Sequence, residues 1–159
     1  MIDPDRAREF LSHRRVAVVG ASDDARNFGG TVLRALLEHG YDAVPVNPNQ
    51  ATVAGVGCYP DLASIPGAVE AVIVMVGRDK SRQVVRAVAR CRIPRVWLFR
   101  GIGGGAVSDD AVELGLKVGL EVIAGGCPLM FLPPVGGIHR VHRLLSRFSG
   151  TLAKSAEPW

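Results

Sequence analysis

The chain has 159 residues, of which 48% are hydrophobic and 21% are charged, and its formal net charge is +4. This length suits a single domain of residues 1–159 built around one hydrophobic core. The Arg and Lys residues are spread along the chain, without a basic block interleaved with aromatics, which argues against a nucleic-acid-binding protein.

The hydrophobic stretches argue against a membrane protein. The longest apolar runs, residues 72–76 and 96–99, are far too short to cross a bilayer. The first five residues lack the basic and apolar regions of a secretory signal, so we expect a cytoplasmic location. Cys58, Cys91 and Cys127 show no CxxC spacing, and therefore neither a disulfide framework nor a metal site is predicted.

In the first half of the chain, Asp3 and Pro4 have the residue types that cap and open a helix. Residues 15–20 form a β-branched run ending in glycine, which is typical of a buried strand. Apolar residues then recur at helical spacing over 28–39, and Gly40 ends that helix. Residues 41–46 predict a second strand, which Asn47 and Pro48 end.

In the second half, residues 71–76 predict a third strand and 79–91 a helix. A fourth strand is predicted over 95–99. Ser108 caps the next helix, which ends near Gly119. Residues 120–124 then predict a fifth strand.

Strands and helices therefore alternate five times, which indicates an α/β fold with a doubly wound parallel five-stranded sheet and helices on both faces. We predict the strand order 3-2-1-4-5. In such sheets ligands bind beyond the carboxyl ends of the strands, so the loops at that edge are the candidate site.

The loop after the first strand is typical of a phosphate-binding loop. Gly20, Ala21 and Ser22 precede a helix, and Arg26 supplies a guanidinium suited to phosphate. A plain strand-to-helix turn is the alternative interpretation. At the end of the second strand, Asn47 and Pro48 stand where NAD-binding folds usually place an acidic residue for the ribose.

The remaining strand ends add further candidates. The third strand runs through Val76 towards Arg78 and Lys80, two cations that could meet a ligand phosphate. The fourth leads to Gly101 in a glycine-rich stretch, and the fifth leads to Cys127. Arg82 and Arg86 lie one helical turn apart and are better explained as a solvated face.

Several motifs resemble those of the CoA-binding proteins, small relatives of the CoA-binding domain of the succinyl-CoA synthetase α subunit. These motifs are Val18-Val19-Gly20-Ala21-Ser22, Pro45-Val46-Asn47-Pro48, Tyr59-Pro60-Asp61-Leu62 with Ile65-Pro66, and the Cys127-Pro128 turn. The resemblance covers roughly residues 12–132. It implies a Rossmann-like fold with coenzyme A lying across the strand ends, the phosphate loop at Gly20, Ala21, Ser22 and Arg26, and further contacts from Asn47, Pro48 and Arg78.

The sequence departs from the family in its third loop, after its fourth strand and in an unusually glycine-rich insertion at residues 101–105. Family members often carry two adjacent basic residues in the third loop, where this chain has Gly77 before Arg78. A glutamine often follows the Trp-Leu pair of the fourth strand, where this chain has Phe99 after Trp97 and Leu98. These departures bear on the pantetheine contacts more than on the phosphate contacts.

Three functions fit these observations. The leading hypothesis is a stand-alone, non-enzymatic protein that binds coenzyme A or an acyl-CoA, because the second domain that a synthetase needs is not expected here. The second is a small acyl or thiol transferase that uses Cys127, with His139 or His142 as its base. The third is an NAD(H)-binding redox sensor, which Asn47 disfavours.

Residues 138–148 predict a last helix with an apolar stripe of five side chains. This stripe must be covered either by the sheet of the same domain or by a second copy of the chain. We therefore predict a homodimer held in part by this helix.

Overall fold

The computed structural model describes residues 1–102 and 104–134. The predicted helix 138–148, the dimer contact assigned to it, and His139 and His142 lie outside these residues. In the described part of the chain, no helix is both long enough and apolar enough to span a membrane.

The main sheet and its helices follow the predicted alternation, with boundaries within two residues of those expected. The strands are β1 (Arg15–Val19), β2 (Asp42–Val46), β3 (Ala71–Val74), β4 (Arg95–Leu98) and β5 (Glu121–Ala124). The α-helices are α1 (Pro4–Leu11), α2 (Phe28–Glu38), α3 (Arg78–Arg90) and α4 (Asp109–Lys117).

Short elements fill the connections. Two antiparallel pairs join Thr52–Val53 to Val56–Gly57 and Arg100–Gly101 to Gly104–Gly105. Two 3-10 turns cover Leu62–Ser64 and Pro128–Phe131.

All four strand pairings of the main sheet are parallel, as predicted. Alternate residues of each strand face opposite layers: Val16 and Val18 pack with α1 and α2, while Ala17 and Val19 pack with α3 and α4. Both layers are apolar, which explains why the strands read as continuous hydrophobic runs instead of alternating ones. The predicted α/β fold with helices on both faces is confirmed.

The predicted strand order was wrong in one respect. The observed order is 2-1-3-4-5, because β3 pairs with the free edge of β1 (Val16 with Ala71 through Val19 with Val74) and not with β2. The connection from β2 to β3 contains a hairpin and a 3-10 turn but no α-helix, and it carries the chain past β1. The strand order therefore reverses between β1 and β3, which is where this topology opens a ligand crevice.

Candidate functional site

Two cavities open at the carboxyl ends of the strands, on either side of the β1/β3 crevice. The first has a volume of about 400 Å³ and lies between the ends of β1 and β2, the turn at Pro60–Leu62 and the side of α3 that carries Lys80, Gln83, Val84 and Ala87. The second has a volume of about 710 Å³ and lies between the start of α2, the end of β3, the Phe99–Gly105 segment and Cys127. Val76 lines both cavities, so they adjoin at the end of β3.

Gly20 brings the loop after β1 against the loop after β3. Its φ is +95°, in the left-handed region that favours glycine. A Cβ at this position would lie 3.0 Å from Val76 Cγ1 and 3.1 Å from the carbonyl of Met75. Glycine is therefore needed here both for the backbone conformation and for the contact that joins the two loops.

Gly29 and Gly30 bring the start of α2 against the β1 loop. A Cβ at Gly29 would lie 2.9 Å from Gly20 O, and one at Gly30 would lie 2.1 Å from Ser22 O. This is the close approach of helix and strand that dinucleotide-binding loops achieve with glycine. The first turn of α2 thus lies at the mouth of the crevice.

The first turn of α2 has an unneutralised positive end. Asn27 caps the helix: its Oδ1 accepts the N–H of Gly30 at 2.8 Å, and its Nδ2 donates to Gly20 O at 3.0 Å. Among the described residues, the N–H groups of Phe28 and Gly29 have no hydrogen-bond acceptor. Of the four α-helices in this part of the chain, α2 alone has no acidic residue in its first turn. Such an end binds anions.

The loop between β1 and α2 is held in place by hydrogen bonds from α2 and from the segment that follows β2. Asp23 accepts hydrogen bonds from Arg34 on α2 and from the backbone of Ala54. The nearly buried Ser22 hydroxyl accepts from the Asp24 N–H and from Gln50 Nε2 at 3.0 Å. The turn before α2 is therefore held in place partly by the segment that follows β2.

Arg26 extends from this loop at the edge of the second cavity. Its side chain is 91% exposed, and within the described residues it pairs with Asp24, at 3.3 Å between Nη2 and Oδ2. Hydrogen bonds from the Arg26 side chain and backbone hold the pKa of the Asp24 carboxyl below its ordinary value. An exposed pair of this kind is weak, so Arg26 can turn from Asp24 to a phosphate.

Asn47 lines the first cavity but uses its amide inside the protein. Its Nδ2 donates to Ala21 O at 3.0 Å, and its Oδ1 accepts the N–H of Asn49 at 2.9 Å. Pro48 and Pro60 form apolar walls of the same cavity, and Lys80 is the one cation among its described lining residues. Asn47 thus holds the first two loops together and offers no carboxylate to a ribose.

Apolar and aromatic side chains line much of the second cavity. The Phe28 and Phe99 rings lie 5.3 Å apart between centroids and are tilted by 35°. Met75, Val76 and Ile102 add to this lining, and Gly101 lies beneath the Phe99 ring.

Cys127 is half-buried and lines the second cavity. Burial raises the pKa of its thiol, an effect that the backbone N–H groups of Leu129 and Met130 partly offset. The thiol is therefore protonated at neutral pH. No His, Asp or Glu occurs among the described residues that line this cavity, so the predicted catalytic use of Cys127 finds no base there.

The predicted site residues divide into three groups. Gly20, Asn47, Pro48, Val76 and Lys80 line the first cavity, and Arg26, Val76, Gly101 and Cys127 line the second. Ala21 is fully buried and Ser22 faces into its own loop. Arg78, the first residue of α3, is exposed and lines neither cavity.

Sequence reasoning missed the cap and the aromatic pair. Asn27 is of a residue type preferred at helix N-caps and directly precedes the first residue of α2, so its role had a local signal. Phe28 and Phe99 are separated by 71 positions, and only the fold brings their rings together.

These features define a Rossmann-like α/β domain with two cavities and a helix N-terminus at its strand-order reversal. A family model described as "CoA binding domain" matches residues 14–133. The chain therefore belongs to the CoA-binding domain family, as its motifs predicted.

Relatives of known sequence or structure agree with this membership. The chain is 29% identical over 152 residues to the alpha subunit of an ADP-forming acetate–CoA ligase II from Pyrococcus furiosus, a match that covers 91% of this chain and 32% of that subunit. It is 28% identical over 130 residues to the uncharacterized Bacillus subtilis protein YneT, covering 80% of this chain and 93% of YneT. A hypothetical protein from Pyrococcus horikoshii OT3 has a similar structure, with a TM-score of 0.76, 29% identity, and coverage of 82% and 89%. The chain thus spans about a third of the length of the ligase subunit.

Proposed function

We propose that this domain binds coenzyme A or an acyl-CoA across the β1/β3 crevice. The diphosphate lies at the first turn of α2, the 3′-phosphoadenosine occupies the first cavity, and the pantetheine arm runs along the second cavity towards Cys127. Such a placement puts the most charged part of the ligand against the free N–H groups of Phe28 and Gly29.

The observation that carries this proposal is the position of the α2 N-terminus. Among the described α-helices, α2 is the one whose first turn has no acidic residue to neutralise its positive end. The two cavities adjoin beside this end at Val76. Coenzyme A has a matching order of parts, with a diphosphate between a nucleoside and a long neutral arm. The membership in the CoA-binding domain family supports the same ligand.

We further propose that the domain binds its ligand without transforming it. Cys127 is the nucleophile among the described residues of the second cavity, and its thiol has a raised pKa. A thiol becomes a good nucleophile as the thiolate, which a neighbouring base or cation promotes. The described lining supplies no base for this step, and its one cation, Arg26, is paired with Asp24.

An NAD-binding function is less well supported. Folds that hold the NAD ribose place Asp or Glu at the end of the second strand. Asn47 occupies this place, and both ends of its amide are engaged by Ala21 and Asn49.

Titration calorimetry of the purified chain with coenzyme A and with NAD tests the proposal. We expect coenzyme A to bind and NAD to bind far more weakly or not at all. A native mass spectrum of freshly purified protein provides an independent measurement, because a retained ligand reports its own mass. Tighter binding of NAD than of coenzyme A would overturn the proposal.

A further inference from the structure

The second cavity carries apolar side chains that the fold leaves open to solvent. Among the described residues, large exposed hydrophobic side chains occur at Met1, Phe28, Ile102, Leu116, Val118 and Met130. Phe28 is 42% exposed and Ile102 is fully exposed, and these two line the same cavity. Exposed apolar residues that occur singly need no explanation, but two facing one cavity indicate an apolar ligand.

The Phe99 ring is held in position and presents one side to Phe28. A Cβ at Gly101 would lie 2.7 Å from Phe99 Cζ, so the ring rests directly on the Gly101 backbone. Phe28 contacts Phe99 at 5.3 Å between ring centroids while remaining 42% exposed. The pair is therefore a partly open aromatic surface, of the kind that packs against another apolar or aromatic group.

The remaining lining of the cavity is neutral apart from one residue. Arg26 is the one charged side chain among the described lining residues, and it lies at the edge near the start of α2. Met75, Val76 and Cys127 form the inner part. This arrangement has a cationic mouth, suited to phosphate, and an apolar interior.

We propose that the interior of the second cavity is an acyl-binding subsite, which selects CoA thioesters whose acyl group is apolar and larger than acetyl. This inference rests on the proposed binding of coenzyme A, since the pantetheine arm must deliver the acyl group past the α2 N-terminus. The acyl group packs against Phe28 and Phe99, with Ile102 covering it from the solvent side.

The size of the cavity agrees with this assignment. Its volume of about 710 Å³ is nearly twice that of the first cavity, at about 400 Å³, which is assigned to the bulkier end of free coenzyme A. Pockets for organic ligands span roughly 300–1,000 Å³ and are lined mainly by apolar and aromatic groups. A slender pantetheine arm alone leaves the Phe28–Phe99 surface uncovered, whereas an added aryl or alkyl group covers it.

Calorimetric titrations with coenzyme A, acetyl-CoA and benzoyl-CoA test the inference. We expect benzoyl-CoA to bind roughly tenfold to a hundredfold more tightly than coenzyme A, from burial of its ring, and acetyl-CoA to differ little from coenzyme A. Phe28→Ser and Ile102→Ser should each reduce the ratio of benzoyl-CoA to coenzyme A affinity. Leu116→Ser, which removes an apolar side chain that is 60% exposed on α4, should leave that ratio unchanged.

The outcomes separate this inference from the function on which it rests. Equal affinities for coenzyme A and benzoyl-CoA would overturn the acyl subsite and leave the proposed CoA binding intact. A benzoyl-CoA preference that survives both Phe28→Ser and Ile102→Ser would place the acyl group elsewhere and also overturn it. Failure of all three compounds to bind would overturn both proposals. Circular dichroism spectra of each variant confirm that the fold is retained.

Discussion

At the scale of single residues, the proposed anion site depends on three glycines. Gly20, Gly29 and Gly30 let the β1 loop, the β3 end and the α2 start approach closely, and a Cβ would clash most severely at Gly30, 2.1 Å from Ser22 O. The free N–H groups of the helix reach the crevice because of this packing. The three glycines are therefore structural requirements of the proposed site, and the N–H of Gly29 is in addition one of its proposed ligand contacts.

Gly30→Ala tests this requirement. Helix propensity alone would favour alanine by about 1 kcal/mol. A Cβ at Gly30 would lie 2.1 Å from Ser22 O, however, so we expect the free energy of unfolding to fall by about 1–3 kcal/mol. Gly57→Ala is the matched control, because no atom lies within 4 Å of its Cβ position. Urea unfolding midpoints compare the two variants, and equal midpoints would show that α2 shifts without cost.

Arg26→Ala tests the proposed phosphate contact. If Arg26 makes a charge-assisted hydrogen bond to a phosphate, its loss should weaken the binding of coenzyme A by about 1.5–3 kcal/mol, which is roughly tenfold or more in Kd. Arg8→Ala is the control, since Arg8 is also an exposed arginine paired with a nearby Asp, at 2.7 Å from Asp5. Calorimetry gives both affinities. Unchanged binding in both Arg26→Ala and Arg78→Ala would mean that the phosphates lie elsewhere.

At the scale of elements, the placement of β3 beside β1 creates the crevice. Glu70, just before β3, accepts the backbone N–H groups of Arg14 and Arg15 at 2.8 Å each, at the start of β1. The Glu70 N–H in turn donates to Arg15 O at 2.9 Å. Glu70 therefore extends the contact between the two strands beyond the start of their ladder at Val16 and Ala71.

Glu70→Gln tests this tether through pH. The N–H groups of Arg15 and Arg14 lower the pKa of the Glu70 carboxyl from its ordinary value of 4.5. The carboxylate therefore stabilises the fold above that ordinary value, and the stabilisation is lost as the pH falls through the lowered pKa. Melting temperatures should differ between wild type and Glu70→Gln near neutral pH and converge under acid conditions. Glu113→Gln, on the exposed surface of α4, is the control, and a pH-independent difference at Glu70 would contradict the tether.

The sequence predicted the elements well because each carries a local signal. β-branched runs bounded by glycine, proline or asparagine marked the strands, and Asp3 with Pro4 marked the start of α1. The strand order had no such signal, because every strand is apolar on both faces and any neighbour satisfies it. The contacts that accompany the observed pairing are distant in sequence, such as the hydrogen bond from the Arg14 N–H to Glu70 across 56 positions.

Residues of the candidate site were likewise predictable where a general rule applied and not where a distant contact decides the geometry. Gly20, Val76 and Cys127 followed from the rule that ligands bind at the carboxyl ends of parallel strands. The inward orientation of Ser22 depends on Gln50, which lies 28 positions away, and therefore could not be read from the loop itself.

At the scale of the whole molecule, the parallel sheet gives the protein two unlike ends. Both cavities, the α2 N-terminus and Cys127 lie at the carboxyl end of the sheet. The opposite end is formed by the tether at Glu70 and by helix-to-strand turns such as the one at Gly40. A ligand that spans both cavities should therefore contact loops far apart in sequence while leaving the other end unaffected.

Hydrogen exchange with and without coenzyme A tests this polarity. At a ligand concentration of about 100 Kd, binding stabilises the native state by about 2.7 kcal/mol, which slows exchange by up to roughly a hundredfold where opening requires ligand release. We expect slower exchange in five segments at the carboxyl end, residues 20–30, 47–50, 75–77, 99–101 and 125–127. The turns at the amino end are the internal control, residues 12–14, 40–41, 92–94 and 118–120, and NAD at the same concentration is the external one. Slower exchange confined to residues 20–30 and 47–50 would show that the pantetheine arm does not enter the second cavity. Slower exchange at the amino-end turns would contradict the proposed site, because no cavity assigned to the ligand reaches them.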